Sequence, residues 1–272
     1  MILLWIMAVL FAAFMLLCLI YLLVLVRPKK GQNQKEELLT PYAHRGLHGD
    51  GIPENSLAAF ALACEKGYGI ELDVQLSLDG EVMVFHDYTL VRMTGMEGRL
   101  CERRAEELAS IRLGESDQTI PTLAQVLALV GGRVPILVEL KGEDMNTSLC
   151  PKVASLLREY KGAYCIESFN PMLVRAIKKE LPDAFCGLLY TNVCRDKKKR
   201  SVLNIALTWM ALNFLARPNF IAYNQVDRHA FPVRIVIGCY RAPAFVWTVR
   251  TEEELEASRK HQETPIFENV RP

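Results

Sequence analysis

An excess of charge of either sign is missing from this 272-residue chain: 32 Lys and Arg stand against 31 Asp and Glu, a net charge of +1. That excludes a nucleic-acid partner held by bulk charge. The eight cysteines include no CxxC pair and no tight spacing with histidine, which argues against structural zinc. Several sit inside apolar runs, where a free thiol packs as a small hydrophobe; reduced thiols suit a cytoplasmic domain. A polar, low-hydrophobicity composition is also lacking. At 51% apolar, with 16 Gly and 13 Pro, the chain is neither disordered nor collagen-like.

Glycine, proline and charge are all absent from Met1 to Val26, and every residue there is apolar. Without that segment the remainder is about 46% apolar, an ordinary soluble value. As a helix, residues 2–26 would run about 37 Å, enough to cross a ~30 Å hydrocarbon core with some tilt. A cleaved signal peptide would want a basic start, a shorter apolar stretch and a small-x-small cleavage site, and none is evident. A single retained transmembrane helix is therefore expected. Arg27, Lys29, Lys30 and Lys35 follow it and no Lys or Arg precedes it, so the positive-inside rule places the remaining domain in the cytoplasm. Residues 27–40 read as a short polar tether leading to a domain over 41–272.

From Pro41 onward short β-like runs alternate with helical patterns. Strands are expected at Tyr42–His44, Gly69–Val74, Ile136–Glu139, Tyr164–Ser168, Phe185–Leu189, Phe220–Tyr223, Phe245–Val249 and Pro265–Glu268. Helices are expected at Ser56–Lys66, Thr122–Val130, Cys150–Tyr160, Pro171–Glu180, Lys199–Leu215 and Thr251–Lys260, while Asn224–Ala244 is the least clear connection. Strands separated by helices imply βαβ units and a parallel sheet. Eight of them in about 230 residues match a (β/α)8 TIM barrel, an α/β fold, with an open doubly wound sheet as the structural alternative. A further run, Glu81–His86, follows too closely for a parallel crossover. Asp79-Gly80 is a strong hairpin signal, and a two-residue turn there would set Asp73 opposite His86.

Polar residues collect at the strand ends, which in a barrel form the catalytic face. Glu71 and Asp73 lie two apart and point to one side; Glu139 and Lys141 repeat the arrangement. His44 and Arg45 end one strand, and His86 ends the hairpin. Three carboxylates (Glu71, Asp73, Glu139) make a hard oxygen site suited to Mg²⁺ or Ca²⁺. Arg45 and Lys141 oppose that charge, and a phosphate group satisfies both sets. Two histidines beside it can supply an acid and a base near neutral pH. Metal-assisted phosphoester cleavage is the reaction class that follows.

The ordered blocks HRG (44–46), PENS (53–56), ELDV (71–74), FHD (85–87), ELK (139–141), SFN (168–170) and WTV (247–249) resemble the glycerophosphodiester phosphodiesterases. That resemblance spans Pro41 to the C-terminus. It implies a TIM barrel with a small insertion after the FHD block, here about 88–120. It further implies a divalent cation on Glu71, Asp73 and Glu139, His44 and His86 as the acid and base pair, phosphate contacts from Arg45 and Lys141, and an aromatic wall at Trp247. Glu54 and Asn55 would either start the next helix or support the site from behind. The implied reaction is hydrolysis of a glycerophosphodiester to sn-glycerol 3-phosphate and an alcohol, with water or the glycerol 2-hydroxyl as first nucleophile. Ser56 stands where Thr is usual, Arg250 where Asn is usual, and the ending PIFENVRP departs from the family's usual Gly-Ile-Ile-Thr-Asp type.

Two further readings stay open. A lysophospholipase D acting on membrane lysophospholipid is a neighbouring activity, and a catalytically silent membrane-bound binding module is a different class; the intact histidine and carboxylate set opposes silence. His48 and His261 lack a motif partner and read as surface or loop residues. The basic run RDKKKR (195–200) and the apolar residues after it are too short for a second span. They are either an ordinary barrel helix behind a solvated charge run or a basic-hydrophobic face resting on anionic lipid.

Overall fold

Helix starts and stops written in the sequence set the length of each βα unit. In the computed structural model, which describes residues 1–29, 36–142 and 144–272, Ser56 Oγ accepts the Ala59 N–H at the start of α2 (Leu57–Lys66), and Gly67 ends it in the left-handed region. Thr122 and Gln125 form a capping box on α5 (Leu123–Val130), and Thr251 and Glu254 do the same on α12 (Glu252–Lys260). Asn170 caps α7 (Pro171–Glu180), with Pro171 in the first turn. Between these helices lie β1 (Tyr42–Ala43), β2 (Gly69–Leu76), β4 (Ile136–Leu140), β5 (Tyr164–Ser168), β6 (Phe185–Tyr190), β7 (Phe220–Asn224), β8 (Ala244–Val249) and β9 (Thr264–Phe267). All are parallel to their neighbours, and β1 pairs with both β2 and β9. That closure makes the TIM barrel and removes the open-sheet alternative.

The lower barrel is filled by inward side chains, among them Tyr42, Leu137, Cys165, Phe220, Phe245 and Ile266. Phe220 stacks on Phe185 (centroids 4.9 Å apart) and on Phe245 (4.4 Å). Gly187 of β6 sits against this stack, where a Cβ would come within 2.1 Å of the Phe220 ring. Above it the interior turns polar.

The hairpin differs from the expected register. In β3 (Val82–Val84), Val84 pairs with Val74 and Val82 with Leu76, so Phe85 and not His86 faces Asp73. The loop has three residues, Leu78 to Gly80, closed by Ser77 N–H donating to the Glu81 carbonyl (3.0 Å), with Gly80 at φ +81°. Asp79 is drawn out of a two-residue turn by Ser77 Oγ (2.6 Å) and the Ala105 N–H (2.9 Å), which favours the three-residue form with glycine last. A one-residue slip exchanges the two faces of a strand, so pairing cannot be what brings His86 to the mouth.

Residues 88–120 form a separate layer outside β3, with α3 (Val91–Thr94) and α4 (Ala105–Ser110) packed on Met83, Phe85, Leu90, Leu100 and Leu108. The single helix expected at Lys199–Leu215 is broken. After α6 (Leu149–Glu159) and α7, the β6–β7 connection carries α8 (Val193–Asp196), α9 (Val202–Thr208) and α10 (Asn213–Ala216), with Met210 at φ +51° interrupting the run. The Asn224–Ala244 connection holds the short α11 (Phe231–Arg234) and a π-helical turn, Ile235–Cys239.

The N-terminal helix α1 (Ile2–Ile20) continues through one π-helical turn, Tyr21–Leu25. Val26 is fully buried in the barrel's outer core, and its carbonyl accepts from buried Asn213 Nδ2 (3.0 Å). Both described ends of the 27–40 segment are fastened to the barrel: Lys29 N–H donates to the Pro218 carbonyl, and Leu38 is buried beneath Tyr42. Residues 30–35, including Lys30 and Lys35, lie outside the described residues.

Gly187→Ala is expected to lower stability by about 1–3 kcal/mol through overpacking against an immobile ring stack. Thermal unfolding checks it, and an unchanged Tm would refute the packing account.

Candidate active site

Parallel pairing aligns residues on neighbouring strands, and here it aligns acids. Asp73 on β2 is level with Glu139 on β4, which is level with Glu167 on β5, while Glu71 lies two residues below Asp73 on the same face. One carboxylate oxygen from each of Glu71, Asp73 and Glu139 lies within 4.8 Å of the others. All three, and Glu167, are buried. Like charges out of water repel, so burial together with neighbouring carboxylates pushes the Glu71 and Glu167 carboxyls well up and Glu139 up to about 7. Asp73 goes the other way: against the effect of burial, Lys141, His86 and Arg45 hold it below the usual carboxylate range.

Two cations face these acids. Lys141 Nζ is 2.9 Å from Glu139 and 3.3 Å from Asp73. Arg45 Nε is 3.5 Å from Asp73, its Nη1 donates to Glu54 (2.8 Å), and its backbone N–H donates to Glu71 (2.8 Å). That last bond needs the chain to fold back at Arg45 (φ +55°) and Gly46 (φ +79°). A Cβ on Gly46 would also meet Ala59 at 2.8 Å and Phe60 at 2.9 Å, so the glycine of the HRG block lets α2 close on the turn.

Both histidines have one ring nitrogen held. His44 Nδ1 donates to Glu268 (3.1 Å), and His86 Nδ1 donates to Asp87 (2.5 Å). Each carboxylate is held low by its partners, Glu268 at about 2 chiefly through His44, and Asp87, against its burial, by Arg92 and His86. Acceptors that stay ionised fix the Nδ1–H tautomer and leave Nε2 for proton transfer. Burial lowers both imidazoles, opposed by these carboxylates. His44, Arg45, Glu71, His86, Glu139 and Trp247 line one cavity of about 400 Å³. Trp247 stands on its wall, edge-on to Phe169 with centroids 5.6 Å apart, and its Nε1 donates to the Ala222 carbonyl.

All ten residues singled out from the sequence therefore meet at the C-terminal end of the barrel. Asn55 touches the acids directly, its Nδ2 donating to Asp73 (2.9 Å). Glu54 bridges Arg45 and Arg92. His48, read as a surface or loop residue, stands beside His44 and Glu268 with a ligand atom of each within 4.8 Å, while His261 packs against His229.

Sequence reasoning missed Gln75, Asp87's further partner Arg92, Glu167 and Glu268. Gln75 Nε2 donates to the carbonyls of Phe85, His86 and Asp87, and that grip on the segment beyond β3 is what delivers His86 to the mouth. Its spacing, two beyond Asp73 and four beyond Glu71, was the available signal. Glu167 precedes the SFN block on the inward face. Arg92 carries no local signal; it reaches Asp87 and Glu54 from the insertion. Glu268 lies in the altered C-terminal block, and its Oε2 also accepts from Arg250 (3.1 Å), so two departures from the usual pattern bond to each other.

The family model for the glycerophosphoryl diester phosphodiesterase family matches residues 44–269. This chain belongs to that family of phosphoric diester hydrolases. Among its family relatives, a glycerophosphodiester phosphodiesterase of Caldanaerobacter subterraneus is 34% identical over 228 residues, covering 79% of this chain and 87% of the relative. Human glycerophosphodiester phosphodiesterase 1 is 36% identical over 260 residues, 82% of this chain and 75% of that protein. The family fold recurs in an Oleispira antarctica phosphodiesterase solved with sn-glycerol-3-phosphate: TM-score 0.69 at 23% identity, over 84% of this chain and 92% of that one.

Family members typically depend on a divalent metal, and the donor set here fits one. Three convergent carboxylates supply hard oxygen ligands, and Glu167 adds a buried Oε2 that has no hydrogen-bond partner and lines the same cavity. A cation offsets the repulsion that raises these carboxyls. Millimolar Ca²⁺ or Mg²⁺ is therefore expected to raise the Tm of the wild-type protein. Glu71→Gln, which keeps an acceptor for the Arg45 N–H, should abolish that shift without lowering the metal-free Tm. A cation shift equal to wild type in this variant would remove Glu71 from the site.

Proposed function

We propose that this enzyme hydrolyses a glycerophosphodiester to sn-glycerol 3-phosphate and a free alcohol, using Ca²⁺ or Mg²⁺ held by Glu71, Asp73 and Glu139. One observation carries the reading: two imidazoles, each fixed at Nδ1 by an ionised carboxylate, line the cavity into which three buried carboxylates converge. When bound, the cation would neutralise and polarise the phosphoryl oxygens.

The chain's own residues do the rest. One histidine takes a proton at Nε2 from the nucleophile, either water or the glycerol 2-hydroxyl; in the second case a cyclic phosphate forms and water opens it in a further step. The other, in its imidazolium form, gives its Nε2 proton to the leaving alkoxide. Arg45 and Lys141 turn from Asp73 and Glu139 toward the phosphate oxygens, for which the guanidinium offers a planar pair of donors. Gln75 and Asn55 keep His86 and Asp73 in place, and Trp247 with Phe169 forms a wall for the glycerol or the head group.

The setting we infer is a membrane. The apolar helix Ile2–Leu25 has 24 residues, none of them buried, and is long enough to span a bilayer. Arg27 and Lys29 on its C-terminal flank support a cytoplasmic barrel over 41–272 behind the segment 27–40. Exposed Phe169 and Val226 on the rim favour a second substrate class, lysophospholipid, by a lysophospholipase D reaction at the same centre.

EDTA is expected to abolish glycerophosphodiester turnover and added Ca²⁺ or Mg²⁺ to restore it. His44→Ala and His86→Ala should each lower kcat by roughly 10²–10⁴-fold, the usual contribution of general acid–base catalysis. Full activity in a Glu71→Ala, Asp73→Ala double variant would overturn the metal assignment. Glu268 acts through His44, so Glu268→Gln should lower kcat with little change in KM and move the pH–rate profile. An unchanged profile would reduce Glu268 to packing.

A further inference from the structure

Met210 and Ala216 anchor the stretch from α8 to α10 on the core while the rest of it stands outside the catalytic cavity, and the N-terminal segment runs along it in a fixed order. Lys29 N–H donates to Pro218, Asn213 Nδ2 donates to Val26, and Tyr21 OH donates to the Trp209 carbonyl (2.9 Å), with the Tyr21 and Trp209 rings 6.2 Å apart. As the residue number falls from 29 to 21, its partner's falls from 218 to 209. The β6–β7 connection begins at the mouth, where β6 ends, and finishes at the opposite face, where β7 starts. The N-terminal helix therefore climbs toward the mouth and leaves the barrel on the mouth side, with residues 21–25 against the barrel and Ile2–Ile20 the part that can cross the bilayer.

Apolar side chains stand exposed on that same side. Val202 is 87% and Leu203 59% exposed at the mouth end of α9. Val226 and Phe231 after β7, Phe169 after β5 and Met145 after β4 are exposed as well. Each follows the C-terminal end of a strand, so together they make one half of the mouth rim apolar. Lys197, Lys198, Lys199 and Arg200 stand just before Val202 and make no ion pair among the described residues, whereas Arg195 is taken up by Asp196 and Asp227. The other half of the rim carries the ion-paired set Glu54, Asp87 and Arg92, with Val91 and Met96 exposed beside it and no run of unpaired basic residues among the described residues. Between α9 and α11 a groove of about 600 Å³, walled by Ile205, Trp209 and Phe231, opens beside the exit of the helix.

We propose that the rim loops after β4, β5, β6 and β7 are seated in the interfacial layer of the bilayer that the N-terminal helix crosses, with Lys197–Arg200 on anionic lipid headgroups. The proposal rests on the reading of that helix as a span. Membrane-surface segments elsewhere pair apolar side chains with a basic flank in this way. The mouth then opens onto the membrane, and a phosphodiester with one acyl arm can present its head group without leaving the lipid.

Tryptophan quenching by brominated lipid tests this in the full-length chain reconstituted in nanodiscs. One variant keeps Trp5 alone, with Trp209→Phe and Trp247→Phe; the other carries Val202→Trp with all three native tryptophans replaced by Phe. Lipid brominated near the headgroup should quench the residue 202 probe by about half, and more strongly in phosphatidylglycerol than in phosphatidylcholine alone. Trp5 should be quenched in both. A quenched Trp5 with an unquenched residue 202 probe overturns the seated face and leaves the span standing. An unquenched Trp5 removes the span, and the proposal with it. An unquenched residue 202 probe with two chains per disc assigns the face to a second copy and likewise overturns it. As a second readout, a Leu203→Glu, Phe231→Glu variant should lose about fivefold or more of its turnover of lysophospholipid in anionic vesicles while keeping wild-type turnover of a soluble glycerophosphodiester. Equal turnover of both substrates would count against the seated rim.

Discussion

Four carboxylates buried at the top of a closed barrel are the constraint on which the rest of this structure depends. Parallel register sets Asp73, Glu139 and Glu167 side by side, and the period of two adds Glu71 beneath them. No arrangement of apolar neighbours makes that placement cheap: isolated buried charges are costly, and like charges add to the cost. The protein responds in three ways. It aims Lys141 and Arg45 at Asp73, it lets the remaining carboxyls hold protons more tightly, and it leaves an oxygen of Glu167 without a partner. The first relieves the buried charge; the other two leave a cost to folding that a bound cation would offset. The lower half of the barrel, with its stacked Phe185, Phe220 and Phe245, is the apolar counterweight that allows it.

Arg45 is in turn positioned from outside the barrel. Asp73 contacts Arg45, Arg45 contacts Glu54, Glu54 contacts Arg92, and Arg92 returns through Asp87 to His86. The insertion at 88–120 thus reaches Arg45 and His86 through a single arginine. Its small apolar core under Leu90 and Leu100 is what keeps α3 and Arg92 at the right distance. A loop layer that resembles decoration is part of how His86 and Arg45, the proposed proton-transfer and phosphate-facing residues, hold a common geometry.

Much of this was legible because it is local. Strand runs, helix caps and the two-residue spacing of Glu71 with Asp73 are short-range signals, and the barrel follows from their alternation. The hairpin register was not legible, since Asp79-Gly80 suits either a two- or a three-residue loop locally. The choice is made by Ser77 Oγ and by the Ala105 N–H, 26 residues away. His86 still arrives at the mouth because Gln75 grips the backbone on the far side of the slip. Arg92 and Glu268 were hidden for the same reason: their partners are distant in sequence, and neither belongs to a repeating pattern. The break at Met210 was hidden too, since apolar periodicity continues straight through it.

Arg250 and Glu268 show how two departures from a family pattern can be joined in one hydrogen-bonded unit. Taken singly, each reads as a change at the rim. In the fold, Glu268 Oε2 accepts from His44 Nδ1 and from Arg250 Nη2, so the arginine helps to hold the acceptor that fixes the imidazole. A carboxylate with two charged or polar donors stays ionised over a wide pH range, and an ionised acceptor is what the Nδ1–H tautomer needs. The two substitutions therefore act as one unit, and their effects on His44 are not expected to be separable into independent contributions.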